Sequence, residues 1–151
     1  MNREIKFRAW DKEFKRMISW DNLADFSPAT FEQMCRNHYE RFQLMQFTGL
    51  KDKNGKEIYE GDILEITEEN NDDHGFNLDI GKLITIKWMD GGFRIIEPQY
   101  YNNEGRGYCE ICASSGYLYS ENHEIQIGFY SKIIGNIYEN PELLTNKKKN
   151  G

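Results

Sequence analysis

No run of about eighteen consecutive apolar residues occurs anywhere in this chain, which excludes a membrane-spanning helix as its organising feature. The charged opening Asn2-Arg3-Glu4-Ile5-Lys6-Phe7-Arg8 also lacks the apolar stretch of a secretory signal, so a soluble cytosolic protein without membrane contact is expected. Cysteine is scarce: three thiols, an odd number with no export signal, fit reduced side chains rather than a disulfide framework. The sequence has no Gly-x-Ser-x-Gly, no phosphate loop and no His-Glu-x-x-His, which removes the signatures of three large enzyme classes. Internal repeats and sustained β-α-β alternation are absent too, which disfavours solenoids and doubly wound nucleotide-binding folds.

What is present is enough to build one core. The 151 residues are 38% hydrophobic and 29% charged, with nine Tyr, nine Phe and three Trp, so neither global disorder nor a second independent core is expected. The net charge of −6 is unevenly spread. Residues 1–16 carry six basic against three acidic groups, and Lys147, Lys148 and Lys149 add a basic end. Removing these two +3 ends leaves about −12 on the span from Met17 to Leu144. Such an acidic body argues against generic duplex-DNA binding, which needs a basic face, but leaves room for a local basic patch.

Periodicity points to strands. Ile5, Phe7 and Ala9 alternate with Glu4, Lys6 and Arg8, and Met17 to Trp20 offers a partner across the polar turn Asp11 to Arg16. Ser27-Pro28 followed by Phe31, Met34 and Cys35 predicts one short helix, with Thr30 as an alternative cap. Gln43 to Phe47 reads as a strand reversed by Asp52-Lys53-Asn54-Gly55 in a type I′ or bulged turn. Tyr59-Glu60-Gly61-Asp62 bends the chain into Ile63 to Ile66, ahead of an acidic loop from Glu68 to Gly75. Ile84, Ile86 and Trp88 alternate into a hairpin at Asp90-Gly91-Gly92, with Phe93 to Ile96 returning. Further strands are expected at Tyr108 to Cys112, Ile125 to Phe129 and Lys132 to Tyr138, ended by Asn140-Pro141. The expected fold is mainly β, an α+β domain with little helix: a strongly bent antiparallel sheet or partly open small barrel. Residues 1–144 are expected to form the single domain and 145–151 a flexible basic tail.

Three segments also resemble the YopX-like family of small bacteriophage and prophage proteins: Arg3 to Asp11 (REIKFRAWD), Leu44 to Leu64 (LMQFTGLKDKNGKEIYEGDIL) and Ile134 to Leu144 (IGNIYENPELL). Their order and position agree with that family, and together they anchor both ends and the centre of the chain. The resemblance implies a phage-encoded, mostly β protein in a bacterial cytoplasm, with no catalytic residues to carry over. Physically, Gly49, Gly55 and Gly61 suit turns, Ile58, Ile63, Ile134 and Ile137 suit a core, and Asp62 after Gly61 suits capping a turn through its carboxylate.

Candidate chemistry is sparse. Cys35 and His38 with Cys109 and Cys112 make a formal three-thiolate, one-imidazole zinc set. Two cysteines three apart on a regular strand face opposite sides, however, so buried or semi-buried free thiols are the preferred reading and no cofactor is expected. His74 and His123 read as solvated turn residues, and Asp52-x-Asn54-Gly55 lacks the distal glutamate of a calcium loop. Arg3, Lys6, Arg8, Trp10 and Lys12, with Lys15, Arg16 and Phe14 nearby, form a basic and aromatic segment of the kind that binds single-stranded nucleic acid. The plainer alternative is the charged solvent face of an edge strand. Tyr100, Tyr101, Tyr117 and Tyr119, with Tyr108, offer a protein-binding surface. The resulting expectation is a non-enzymatic accessory protein that binds a host or phage protein or copies of itself, with single-stranded nucleic acid as the alternative partner.

Overall fold

In the computed structural model the two turns that bracket residues 60–61 and 52–56 organise the whole chain, because each ties strands of one sheet to strands of another. The structure describes residues 4–36, 40–68, 79–89, 92–96, 119–120, 123–124 and 130–145. Among them the chain runs β1 (Phe7–Asp11), β2 (Arg16–Ile18), α1 (Trp20–Leu23), α2 (Pro28–Cys35), β3 (Phe42–Lys51), β4 (Glu57–Tyr59), β5 (Asp62–Ile66), β6 (Leu83–Met89), β7 (Gly92–Ile96), β8 (Tyr119–Ser120), β9 (His123–Glu124), β10 (Ser131–Asn136) and α3 (Glu142–Thr145).

The fold is mostly β. Two antiparallel four-stranded sheets, ordered β2-β1-β3-β4 and β10-β5-β6-β7, carry the chain, and one of them curls strongly into a half-barrel. A two-stranded β8-β9 pair stands apart from them. The expected N-terminal hairpin forms, with Trp10 opposite Met17. It is shorter than the sequence pattern predicts, because Ser19 leaves the strand to cap α1: its Oγ accepts the Asn22 N–H, and Trp20 becomes helical. Three short helices therefore stand among the described residues where one was expected. Thr145, expected to open the tail, closes α3.

Helix α2 begins as its sequence dictates. Ser27 Oγ accepts the Thr30 N–H at 3.2 Å, and Pro28 occupies the first turn, where its missing N–H costs nothing. Met34 is buried, whereas Cys35 is exposed; one residue further round the helix turns the thiol outward, which corrects the expectation of a buried Cys35.

Most of the buried apolar residues fall into two clusters. Ala9, Ile18, Leu23, Met34 and Phe42, with Phe7, Trp20, Phe26 and Leu44, bind α1 and α2 to the first sheet. Ile58, Leu64, Ile66, Ile84, Ile86, Phe93 and Ile95 fill the second, joined by Leu50 and Ile133. Each fully buried isoleucine contributes about 1.5–3 kcal/mol relative to exposure. The alternation of Ile84 and Ile86 is thus a core face, but Trp88 lies beyond it, partly exposed and set edge-on against Phe93 at 4.8 Å between centroids. In the β3–β4 turn only Gly55 has a positive φ, so the bulged form occurs rather than type I′. The last strand stops at Asn136, two residues earlier than predicted, because the Asn136 Oδ1 accepts the N–H groups of Tyr138 and Glu139 and turns the chain.

Candidate functional site

The two sheets meet at the link between β4 and β5. Gly61 donates its N–H to the Ile86 carbonyl at 2.8 Å and accepts from the Ile137 N–H at 2.9 Å, while the Glu60 N–H reaches the Gln46 carbonyl at 2.9 Å. Two residues therefore stitch β3, β6 and the end of β10 together. Gly61 has φ +81°, a left-handed backbone that favours glycine, whereas a Cβ there would meet Met45 and Ile137 at 3.4 Å, an ordinary contact.

An ion pair lies beneath this link. Arg8 Nη2 donates to Asp62 Oδ1 at 2.7 Å, and the other carboxylate oxygen of Asp62 accepts the Tyr59 N–H at 2.8 Å. The guanidinium carbon is 4.9 Å from the Tyr59 ring centre, and the Asp62 side chain is only 1% exposed. Burial pushes the Asp62 carboxyl upward, against the downward pull of Arg8 and the Tyr59 N–H. Burial likewise raises Glu60, whose carboxylate takes the Trp88 N–H, and raises the Tyr59 phenol to about 12, aided by its hydrogen bond to Glu57. Arg8 Nε is buried with no hydrogen-bond partner.

Alongside, a cleft of about 170 Å³ is lined by residues including Met45, Glu60, Gly61, Lys87, Ile137 and Tyr138. A pocket for a drug-sized molecule needs about 300 Å³ or more, so this cleft accommodates at most a small group. Trp10 closes the neighbourhood, stacked on Tyr138 with centroids 5.8 Å apart and planes 17° apart.

Two further carboxylates of the motifs, Asp52 and Asp11, are bound within the fold as well. Asp52 Oδ2 accepts the Ile133 N–H at 3.0 Å, and its Oδ1 accepts Asn54 and Lys56, so one carboxylate pins the β3–β4 turn to β10. Burial raises this carboxyl, but the three N–H donors outweigh it and the net shift is downward. Asp11 is fully buried. Arg41 grips it with two hydrogen bonds of 2.9 and 2.8 Å, which holds its carboxyl down at about 2.

The residues expected to contact nucleic acid separate into two groups. Lys6 is ion-paired to Glu57 at 2.7 Å and to Glu4 at 3.1 Å, which holds its ammonium well above the usual range. Arg8 and Trp10 are committed to Asp62 and Tyr138, and β1 lies between β2 and β3 rather than at an edge. Lys12, Phe14 and Lys15 stay on the exposed β1–β2 turn, and Arg16, also exposed, is the first residue of β2. Arg3 lies outside the described residues. Of the formal zinc set, Cys35 is a free thiol on α2. His38, Cys109 and Cys112 lie outside the described residues, and no cluster of three metal-ligating side chains occurs among the described ones. Tyr100, Tyr101, Tyr108 and Tyr117 also lie outside them, as do the strands expected at 108–112 and 125–129; the backbone of Tyr119 is in β8. Sequence reasoning missed Arg41, which neither periodicity nor a motif marks.

These features define a class before any comparison: a two-sheet β protein whose buried ion pair and aromatic stack join three separated segments at one seam. The chain belongs to the YopX protein family, whose model matches residues 6–145. It is similar to the crystal structure of protein EF1440 from Enterococcus faecalis, at 27% identity and a TM-score of 0.50 over 95% of this chain and 99% of that one. A comparison with curated proteins finds no match. Among the described residues no helix is long and apolar enough to cross a membrane.

Proposed function

We propose that this chain is an accessory protein of phage or prophage origin that acts by non-covalent binding, to a second protein or to another copy of itself, rather than by catalysis. One observation carries the reading: the three buried aspartates that the family motifs supply, Asp11, Asp52 and Asp62, are saturated by internal donors. Asp11 is held by Arg41, Asp52 by three backbone N–H groups, and Asp62 by Arg8 and Tyr59. A general acid or base must reach a substrate proton, and groups fixed this way are aimed into the fold. The motifs thus specify an architecture, and its surfaces are left to carry the function.

Affinity capture of the tagged chain from host lysate, with and without nuclease, tests this together with light scattering of the purified protein. A defined protein retained after nuclease, or a stable oligomer, supports the reading. A strictly monomeric chain that retains no protein overturns it.

A further inference from the structure

The β1–β2 turn presents a charge pattern opposite to that of the body. Asp11, the acid that opens the turn, points inward, where its Oδ1 accepts the N–H groups of Glu13 and Phe14 at 3.1 and 3.2 Å and both oxygens engage Arg41. Glu13 is occupied by the third arm of the same guanidinium at 2.9 Å. Lys12 and Lys15 are exposed and carry no ion pair among the described residues, and Arg16 reaches Asp11 only at 4.0 Å. In their midst Phe14 is 61% exposed.

The Phe14 ring is backed by a built platform. The Arg41 guanidinium lies 4.7 Å from the Phe14 centroid and 4.9 Å from that of Phe42, and Arg16 lies 5.5 Å from Phe14. Because Asp11 and Glu13 fix the guanidinium, the arrangement is ordered before any ligand arrives. An exposed aromatic ring costs solvation unless something covers it, and cations around it select an anionic partner with a flat apolar face.

We propose that this turn binds single-stranded nucleic acid, with a base stacked on Phe14 and flanking phosphates held by Lys12, Lys15 and Arg16. Single strands offer free base faces, whereas duplex bases are already stacked. The net charge of −6 further disfavours the denser phosphate array of a duplex. The site uses residues separate from the seam and stands independently of the protein-partner reading.

Fluorescence anisotropy with a labelled oligothymidylate of about twelve nucleotides tests the site. Three phosphate contacts predict that affinity falls about twentyfold between about 50 and 200 mM salt. Phe14→Ala weakens binding about tenfold, and Lys12→Glu with Lys15→Glu abolishes it, while the circular dichroism of these exposed-site variants is unchanged. Lys53→Glu with Lys56→Glu, at the turn beyond the other end of β3, leaves binding intact. The proposal is overturned by absence of binding at low salt, by indifference to Phe14→Ala, by equal affinity for a duplex, or by loss through Lys53 and Lys56 instead.

Discussion

Arg8 and Asp62, fifty-four residues apart in sequence, meet at 2.7 Å across the seam and couple the middle of the first sheet to the first residue of β5. The pair is lopsided, because without Asp62 the guanidinium still reaches the Glu60 carbonyl at 3.4 Å and the Tyr59 ring, whereas without Arg8 the Asp62 carboxylate keeps only the Tyr59 N–H. Removing the cation strands a buried carboxylate, which typically costs about 3–5 kcal/mol. Arg8→Met is therefore expected to lower stability by that order in urea unfolding. Asp62→Asn should cost less, since an amide oxygen still accepts from Tyr59, and an equal loss in the two variants would refute this asymmetry.

The opposite end of β1 carries an acid-sensitive contact. The Asp11 carboxyl is held down at about 2, chiefly by Arg41, against an ordinary value near 3.8. A depressed folded-state value means that the unfolded chain binds the proton more readily as pH falls. The stabilisation is complete above about pH 4 and is lost as pH drops through about 2. Asp11→Asn should flatten that limb of the stability profile; an unchanged slope in chemical denaturation at pH 2–4 would contradict it.

How much of this was legible in the sequence depends on how far apart the partners lie. Alternation at Phe7 and Ala9 located β1, and Ser27-Pro28 located α2, because those signals arise within a few residues. The same alternation placed Arg8 on a solvent face, since a period of two assumes that one side of a sheet is wet. Instead Trp10 and Asp11 are both buried, as adjacent residues are when structure covers both faces. The turn-capping carboxylate of Asp62 was readable from Gly61 beside it, whereas its partner Arg8 required the register of two sheets. Arg41 illustrates the limit further: it lies just outside a strand, and its role follows only from the position of Asp11 opposite Phe42.

The stack of Trp10 on Tyr138 is open to direct observation. Trp10 is nearly buried, and Tyr138 supplies one face of its environment. In a Trp20→Phe, Trp88→Phe background, Tyr138→Ala should shift the Trp10 emission to longer wavelength and cost on the order of 1 kcal/mol beyond the area lost. Tyr138→Phe should restore the spectrum, because the ring supplies the contact; failure of Phe to do so would assign the effect to the hydroxyl.

Gly135 tests the close approach at the end of β10. A Cβ placed there would meet Asn140 Oδ1 and Cγ far inside contact distance, and the same Oδ1 accepts the Asn136 N–H at 3.3 Å. Gly135→Ala must therefore displace the asparagine and break that hydrogen bond, with an expected loss of about 1–3 kcal/mol. Asn140→Gly alone loses the hydrogen bond and adds freedom to the unfolded chain, and in its presence the added methyl group has room. The double variant should therefore be about as stable as Asn140→Gly, a strongly non-additive result in a double-mutant cycle of urea midpoints. Additive losses would mean that Gly135 is required for its backbone rather than for the space it leaves, a reading that its φ, which lies outside the left-handed range, does not support.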